Sequence, residues 1–266
     1  MTERQVDIWL PKGYNPRHRK PYSVVYMHDG QNLFDTKYAF NGQPWSVDIT
    51  TQSLIDSGMI KPTIIVGIWN STRRFEEYLP DPAISKLSSY QQYMLKAKQK
   101  GNSLSNDYLR FIVEELKPTI DHRFSVYADF QHTFISGSSM GGLISIYALA
   151  AYPHIFGGAA CMSTHWPLIL ERADISYSRP FMIYLAQHLP SPDIHRIYFD
   201  HGTETMDSNY EIHQREMDKV MMSLGYTYGK NWISNRFEGD AHNEIAWGRR
   251  FTVPLQFMLK ADSSLK

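Results

Sequence analysis

The stretch Gly137-Ser138-Ser139-Met140-Gly141-Gly142 constrains this chain more than any other. It fits G-x-S-x-G with Ser139 at its centre, follows the apolar run Thr133-Phe134-Ile135 and opens the helix-forming run Leu143-Ile144-Ser145-Ile146-Tyr147-Ala148-Leu149. A serine among small residues, where a strand feeds straight into a helix, is the setting of a nucleophile elbow. Glycines are needed there because the backbone passes close to its neighbours and the central residue is strained. The alternative is a glycine-rich helix start that merely packs, and the flanking strand and helix weigh against it. A serine hydroxyl is a poor nucleophile until a base takes its proton. An elbow therefore demands a carboxylate and a histidine further along, in the order serine, acid, histidine.

The rest of the chain supplies strands and helices in alternation. Val6, Ile8 and Leu10 suggest a first strand, and Tyr22 to Met27, Thr63 to Ile68, Ile155 to Met162, Ile194 to Phe199 and Trp232 to Phe237 suggest others. Helices are expected over Trp45 to Ile55, from Ser105 to a stop at Pro118, along the Met217, Val220, Met221 and Leu224 stripe, and from Glu244 to Leu259. Strands alternating with helices imply a mostly parallel sheet covered on both faces. With no linker, repeat or low-complexity tract in 266 residues, one α/β domain over 1–266 is expected. The least regular part runs from Arg73 to Asn102 and is broken by Pro80 and Pro82. It reads as a lid-like insertion over the active-site edge, or as a surface helix bridging two elements.

In an open α/β sheet, ligands gather beyond the carboxyl ends of the strands, so the polar loops there hold the candidate residues. After Ser139, the carboxylate-rich strand end is Asp200-His201-Gly202-Thr203-Glu204-Thr205-Met206-Asp207. Asp207 is favoured as the acid because its position must reach sideways toward the last strand's loop, and Glu204 comes next. Of the 11 histidines, only His242 follows the acid loop on the turn between the last strand and the last helix. His28, His165 and His201 also follow strands, whereas His18 and the others fall in turns, before strands or on helices and read as structural. The elbow offers the Met140 amide as one oxyanion donor, and Gln31, behind Gly30 in His28-Asp29-Gly30-Gln31, is the best placed second one. Trp69, Trp166, Tyr78, Tyr90 and Tyr93 are candidates for pocket walls, and His165 joins Trp69 and Trp166 as a substrate-binding candidate. Packing in the core is the competing role for each aromatic.

Composition narrows the partners. Formal charge is zero, so no basic footprint points to nucleic acid. The lone cysteine, Cys161, excludes an internal disulfide and a cysteine-rich metal site. No short metal-ligand spacing such as H-E-x-x-H occurs, and neither a metal nor a cofactor is expected. No apolar run is long enough to span a membrane, and Met1-Thr2-Glu3-Arg4 lacks the apolar region of a signal peptide. A cytoplasmic protein is expected on that reading; a lost leader peptide would make it periplasmic or secreted.

With these residues in view, the chain resembles the esterase D-type group of α/β-hydrolases, which includes feruloyl, acetylxylan and enterochelin-type esterases and mycolyltransferases. The resemblance is carried by Arg4-Gln5-Val6-Asp7-Ile8-Trp9-Leu10-Pro11, Tyr26-Met27-His28-Asp29-Gly30-Gln31, Trp45-Ser46-Val47-Asp48, the elbow, Gly202-Thr203-Glu204 and Ala241-His242-Asn243-Glu244. It implies an α/β-hydrolase fold, with Ser139 as nucleophile, His242 as base and the Gln31 and Met140 amides as the oxyanion hole. The acid stays open between Asp207 and Glu204, because members of the group place it at different offsets after the Gly-Thr pair. The expected activity is hydrolysis of a small acyl or aryl ester, of a carbohydrate or a siderophore for example, through an acyl-enzyme. Acyl transfer to a sugar by the same triad, or ligand binding on the same fold without turnover, are the competing functions.

Overall fold

The computed structural model describes residues 3–17, 20–97, 101–168 and 174–261; Met1, Thr2 and His18 lie outside them, as do residues 98–100 of the Arg73 to Asn102 stretch. Among the described residues seven strands form one sheet: β1 (Val6–Trp9), β2 (Ser23–His28), β3 (Thr63–Ile68), β4 (Thr133–Ser138), β5 (Gly158–Met162), β6 (Arg196–His201) and β7 (Trp232–Arg236). Their spatial order is β1-β3-β2-β4-β5-β6-β7, with β1 antiparallel to β3 and the other neighbours parallel. The α/β-hydrolase-like fold expected from the sequence is the one observed.

The continuous apolar strands are read by both faces of the sheet. Along β2, Val24 and Tyr26 enter one hydrophobic cluster while Val25 and Met27 enter the other. The alternation repeats in β5, where Ala159 and Cys161 face one side and Ala160 and Met162 the opposite. One face is covered by α1 (Val47–Asp56), α10 (Glu244–Arg250) and α11 (Thr252–Leu259), which contribute Leu54, Trp247 and Leu255 to its cluster. The other carries α5 (Ser105–Arg110), α7 (Met140–Ala151), α8 (Arg179–His188) and α9 (Glu211–Ser223). Every residue of α7 from Met140 to Ala150 is buried, so the elbow helix is apolar all round and locked in place.

Several boundaries differ from the sequence expectation. The helix from Ser105 does not stop at Pro118: a π-helical turn, Phe111–Leu116, carries it into α6, Lys117–Arg123. Pro118 follows directly on the π-helical turn, whose wider winding replaces the regular α-helical hydrogen-bond ladder at this point, and the helix passes through the proline instead of ending before it. The closing helix is two, α10 and α11, meeting at Phe251. The segment between β5 and β6 contains α8, unforeseen because only Phe181, Met182 and Leu185 of its ten residues are buried apolar positions.

The described residues of the Arg73 to Asn102 stretch form three short helices, α2 (Arg74–Tyr78), α3 (Asp81–Ser85) and α4 (Ser89–Lys96). Among its described residues, Arg74 and Phe75 at its beginning line the cleft at the carboxyl edge of the sheet. Further along, Ala83 and Leu95 are buried in the core cluster that also holds Phe181 and Leu185 of α8, while Tyr90 and Tyr93 remain exposed. Ala83 and Leu95 thus tie the described later part of the stretch to the body of the molecule.

Candidate active site

Ser139 stands between β4 and α7 with φ 57° and ψ −121°, a backbone region that residues with a side chain rarely adopt. The strain is held by bonds on both sides: Ser139 N donates to Met162 O at 2.9 Å, and Ser139 O accepts from Leu143 N and His165 N, each at 3.1 Å. Gly137 has to be glycine, since a Cβ there would come within 2.8 Å of the Gly141 backbone. Sharp turn and close approach together lift the Ser139 side chain into a cleft of about 560 Å³ at the carboxyl ends of the strands.

His242 lines the same cleft, on the loop between β7 and α10. Its amide donates to Thr205 Oγ1 at 2.9 Å and its Nδ1 lies 2.6 Å from Asp207 Oδ1. An ionised Asp207 makes that nitrogen the protonated one, which leaves Nε2 with a lone pair. Trp247 and Tyr210 meet the imidazole edge-on at 4.8 and 5.6 Å and fix its plane. Glu204 occupies no such place; it is exposed, and its amide donates to Asp240 O at 3.0 Å.

Asp207 is fully buried in the 3-10 turn Thr205–Asn209. Burial works against its charge, yet hydrogen bonds from His242, Ser163 and the Gly202 amide outweigh it and hold the carboxyl below the ordinary range. Ser163 Oγ and Gly202 N each donate to Oδ2 at 2.6 Å. The serine in turn accepts from Trp247 Nε1 at 2.9 Å and from Arg250 Nη2 at 2.7 Å. A hydroxyl has one proton and two lone pairs, so all three are used and its donation toward Asp207 is fixed. Arg250 completes the base of this assembly, donating to Asp200 through Nε at 3.1 Å and Nη2 at 2.9 Å and to Asp240 through Nη1 at 3.0 Å. Ser163, Trp247 and Arg250 were not among the sequence candidates. They converge from β5's end and α10, and no local motif signals that meeting.

The other half of the cleft is built by the Gly30–Asn32 turn and the start of α2. Gln31 and Met140 both line it. Met140 opens α7 and Gln31 sits in the first turn of a 3-10 helix, so neither amide has an acceptor within its own helix. Gln31 also accepts from Asn70 N through Oε1 at 3.2 Å. Asp29, Arg74 and Glu244 bring charge to the walls, and Tyr38, Phe75 and Trp247 bring apolar rings. Burial, reinforced by the Asp29 charge, pushes the Glu244 carboxyl up.

The predicted substrate-binding residues divide. His165 lines the cleft, with Nδ1 2.6 Å from the Tyr210 hydroxyl. Trp69 stands behind Tyr38, its ring 5.2 Å from that tyrosine's and its Nε1 donating to Asp7 Oδ2 at 2.6 Å. Trp166 does not line the cleft. The chain turns inward at Ser163, φ 42°, and the indole packs 5.7 Å from Phe199 with its N–H on Gln214 Oε1. Tyr78 is likewise buried, and Tyr90 and Tyr93 are exposed outside the cleft.

The strand-end histidines have separate partners: His28 Nδ1 meets Tyr108, His165 meets Tyr210, and His201 Nδ1 donates to Gly202 O. Burial drives the His28 ring down to about 3, so it is neutral. Among the described residues no group of three metal-ligating side chains converges. A second cavity of about 510 Å³ lies at the opposite ends of the strands, lined by Phe134, His195 and Lys230, and contains neither Ser139 nor His242. Among the described residues no helix is long and apolar enough to cross a membrane.

The Esterase family model, described as "Putative esterase", matches residues 1–253. The ferri-bacillibactin esterase BesA of Bacillus subtilis (strain 168) is 29% identical over 181 residues, which cover 64% of this chain and 58% of that protein. The chain thus spans little more than half the length of this curated relative. Among solved structures, an IroE-like serine hydrolase from Shewanella oneidensis superposes with a TM-score of 0.71 at 19% identity, over 99% of this chain and 77% of that one. A ferulic acid esterase from Anaeromyces mucronatus, in complex with ferulic acid, gives 0.63 at 17% identity over 96% and 85%. At those identities the two structures speak to the fold alone.

Proposed function

The chain belongs to the esterase family, and we propose that it is a serine carboxylesterase that cleaves small acyl or aryl esters by way of an acyl-enzyme. The observation that carries the reading is the 2.6 Å contact between His242 Nδ1 and Asp207 Oδ1 in the cleft into which the strained Ser139 projects. Asp207 holds the imidazole in the tautomer whose Nε2 is basic. His242 Nε2 takes the Ser139 proton as Oγ attacks the ester carbonyl, and returns it to the leaving alcohol. Water then repeats the attack on the acyl-enzyme, and the acid is released. Met140 N–H, at the positive end of the twelve-residue α7, and Gln31 N–H bind the oxygen that becomes negative. Among carboxylates after the elbow, Asp207 is the acid: it combines the imidazole contact with a set of donors that keep it ionised.

The cleft suits a flat, partly polar substrate. Tyr38, Phe75 and Trp247 line it with aromatic rings, while Asn70, Arg74 and Glu244 bring hydrogen-bonding groups to the same cleft. Aromatic acids and sugar esters both fit that description, and the names of BesA and of the ferulic acid esterase point to ester substrates of this kind. The test is hydrolysis of an ester panel, from p-nitrophenyl acetate to longer chains with methyl ferulate and an acetylated sugar, by wild type, Ser139→Ala and His242→Ala. Turnover by the wild type that disappears in both variants supports the reading; turnover that survives in Ser139→Ala contradicts it.

A further inference from the structure

We infer that Arg74 is a positioning residue for the oxyanion site: by gripping Asp29 it fixes the turn that carries the Gln31 amide. The inference rests on the esterase reading above and adds a residue to it. Asp29 directly follows β2 and has φ 56° and ψ 46°, left-handed backbone that aspartate enters more readily than most residues with a Cβ but that needs contacts to hold it. Directly behind it comes the Gly30–Asn32 turn, whose Asn32 amide donates back to Asp29 O at 2.9 Å. The position of the Gln31 N–H is therefore set by the conformation of Asp29.

The contacts that hold it come from one segment, residues 70–78. Arg74 donates to both oxygens of the Asp29 carboxylate, Nε to Oδ1 at 2.6 Å and Nη2 to Oδ2 at 2.7 Å, and Asn70 Nδ2 adds a third bond at 2.6 Å. The Asp29 amide donates to Tyr78 Oη at 3.2 Å. Asn70 reaches the next residue but one as well, its amide donating to Gln31 Oε1. On the far side the turn has no room to retreat, because a Cβ on Gly30 would lie 2.5 Å from the Gly67 backbone. Clamped on one face and backed by β3 on the other, the turn has one place to be.

A two-pronged grip of this kind is specific to arginine, since its planar fork matches a carboxylate and an ammonium does not. Two of its donors are already committed to Asp29, and the pair is neutral as a whole. That separates Arg74 from a residue placed to attract an anionic substrate, although it lines the cleft. The start of the irregular excursion is thus part of the catalytic frame. Oxyanion donors act by being in place before charge develops, so loosening one lowers kcat more than it weakens substrate binding.

The test uses the full chain as wild type, Arg74→Ala and Arg74→Lys. Hydrogen exchange of the backbone amides of residues 29–33 is measured alongside kcat and KM for neutral p-nitrophenyl acetate and for an anionic half-ester of succinate. Expected are faster exchange in Arg74→Ala, a kcat lower by about 10- to 100-fold on both esters with KM changed by less than about 2-fold, and an intermediate Arg74→Lys. Unchanged exchange, an unchanged kcat, or a KM raised for the anionic ester alone would overturn the inference. A wild type inert toward every ester would refute the esterase reading instead, and the exchange comparison would then decide by itself whether Arg74 holds the turn.

Discussion

Two arginines hold two aspartates on opposite sides of β4, and they do so in different environments. Arg250 and Asp200, the latter near the carboxyl end of β6, have side-chain exposures of 2% and 0%. Arg74 and Asp29, beyond β2, have 32% and 10%, with the arginine facing the cleft. The buried pair sits beneath the Asp207 carboxylate, connected to it through the saturated hydroxyl of Ser163. Desolvation raises the Asp200 carboxyl despite Arg250, whereas at Asp29 the arginine and Asn70 outweigh burial and lower it. The same pairing of groups therefore serves two ends. In the interior it makes a rigid foundation whose loss is felt as instability; at the rim it steers a short turn and its loss is felt in the rate.

The largest effect separating the two candidate acids is at Asp207 itself. Asp207→Asn leaves the shape but favours the wrong imidazole tautomer, and kcat is expected to fall by about 10⁴-fold, while Glu204→Gln stays within about 2-fold of wild type. Steady-state kinetics on one chromogenic ester decides this. A comparable loss in Glu204→Gln would move the acid.

Next comes the stability contrast. Arg250→Met leaves Asp200 buried without its cation and Asp240 with Arg249 alone, and is expected to cost about 3–5 kcal/mol in urea unfolding. Arg74→Ala, where water reaches the abandoned carboxylate, is expected to cost about 1 kcal/mol or less. Equal losses would erase the distinction between foundation and rim.

A smaller effect is in the pH dependence. Asp207 has a folded-state pKa below its ordinary value of 3.8. A depressed carboxylate contributes stability that is present above the ordinary value and disappears as pH falls through the folded one. The stability gap between wild type and Asp207→Asn should therefore be widest near neutrality and narrow at pH values below about 4. Unfolding at a series of pH values measures it, and a gap that widens on acidification would show that the carboxylate is not held ionised. Smallest of all, Tyr90→Ala and Tyr93→Ala, both at exposed positions outside the cleft, should leave kcat/KM within about 2-fold.

Much of the frame was legible in the sequence because it follows from periodicity and turn chemistry. Continuous apolar runs marked the parallel strands, and the glycines around Ser139 marked a turn that a Cβ at Gly137 would obstruct. His242 stood out by chain order alone. What stayed hidden depends on contacts between distant segments. Asp207 and Glu204 are three residues apart, and only the path of the Thr205–Asn209 turn determines which carboxylate meets the imidazole. Trp166 follows a strand end, as a pocket residue would, but the left-handed Ser163 sends it inward against Phe199. Ser163 and Arg250 looked like any serine and arginine, since their role exists only where β5's end and α10 converge. The helix through Pro118 was hidden by a π turn, which no apolar spacing announces.

The central claim is that Ser139 is an activated nucleophile, and its most direct measurement is covalent labelling of the intact protein by a fluorophosphonate, with the adduct located by peptide mass spectrometry. A single stoichiometric adduct on the peptide containing Ser139, strongly slowed in His242→Ala, is the predicted result. No adduct on the wild type, or an adduct on another residue, would contradict it.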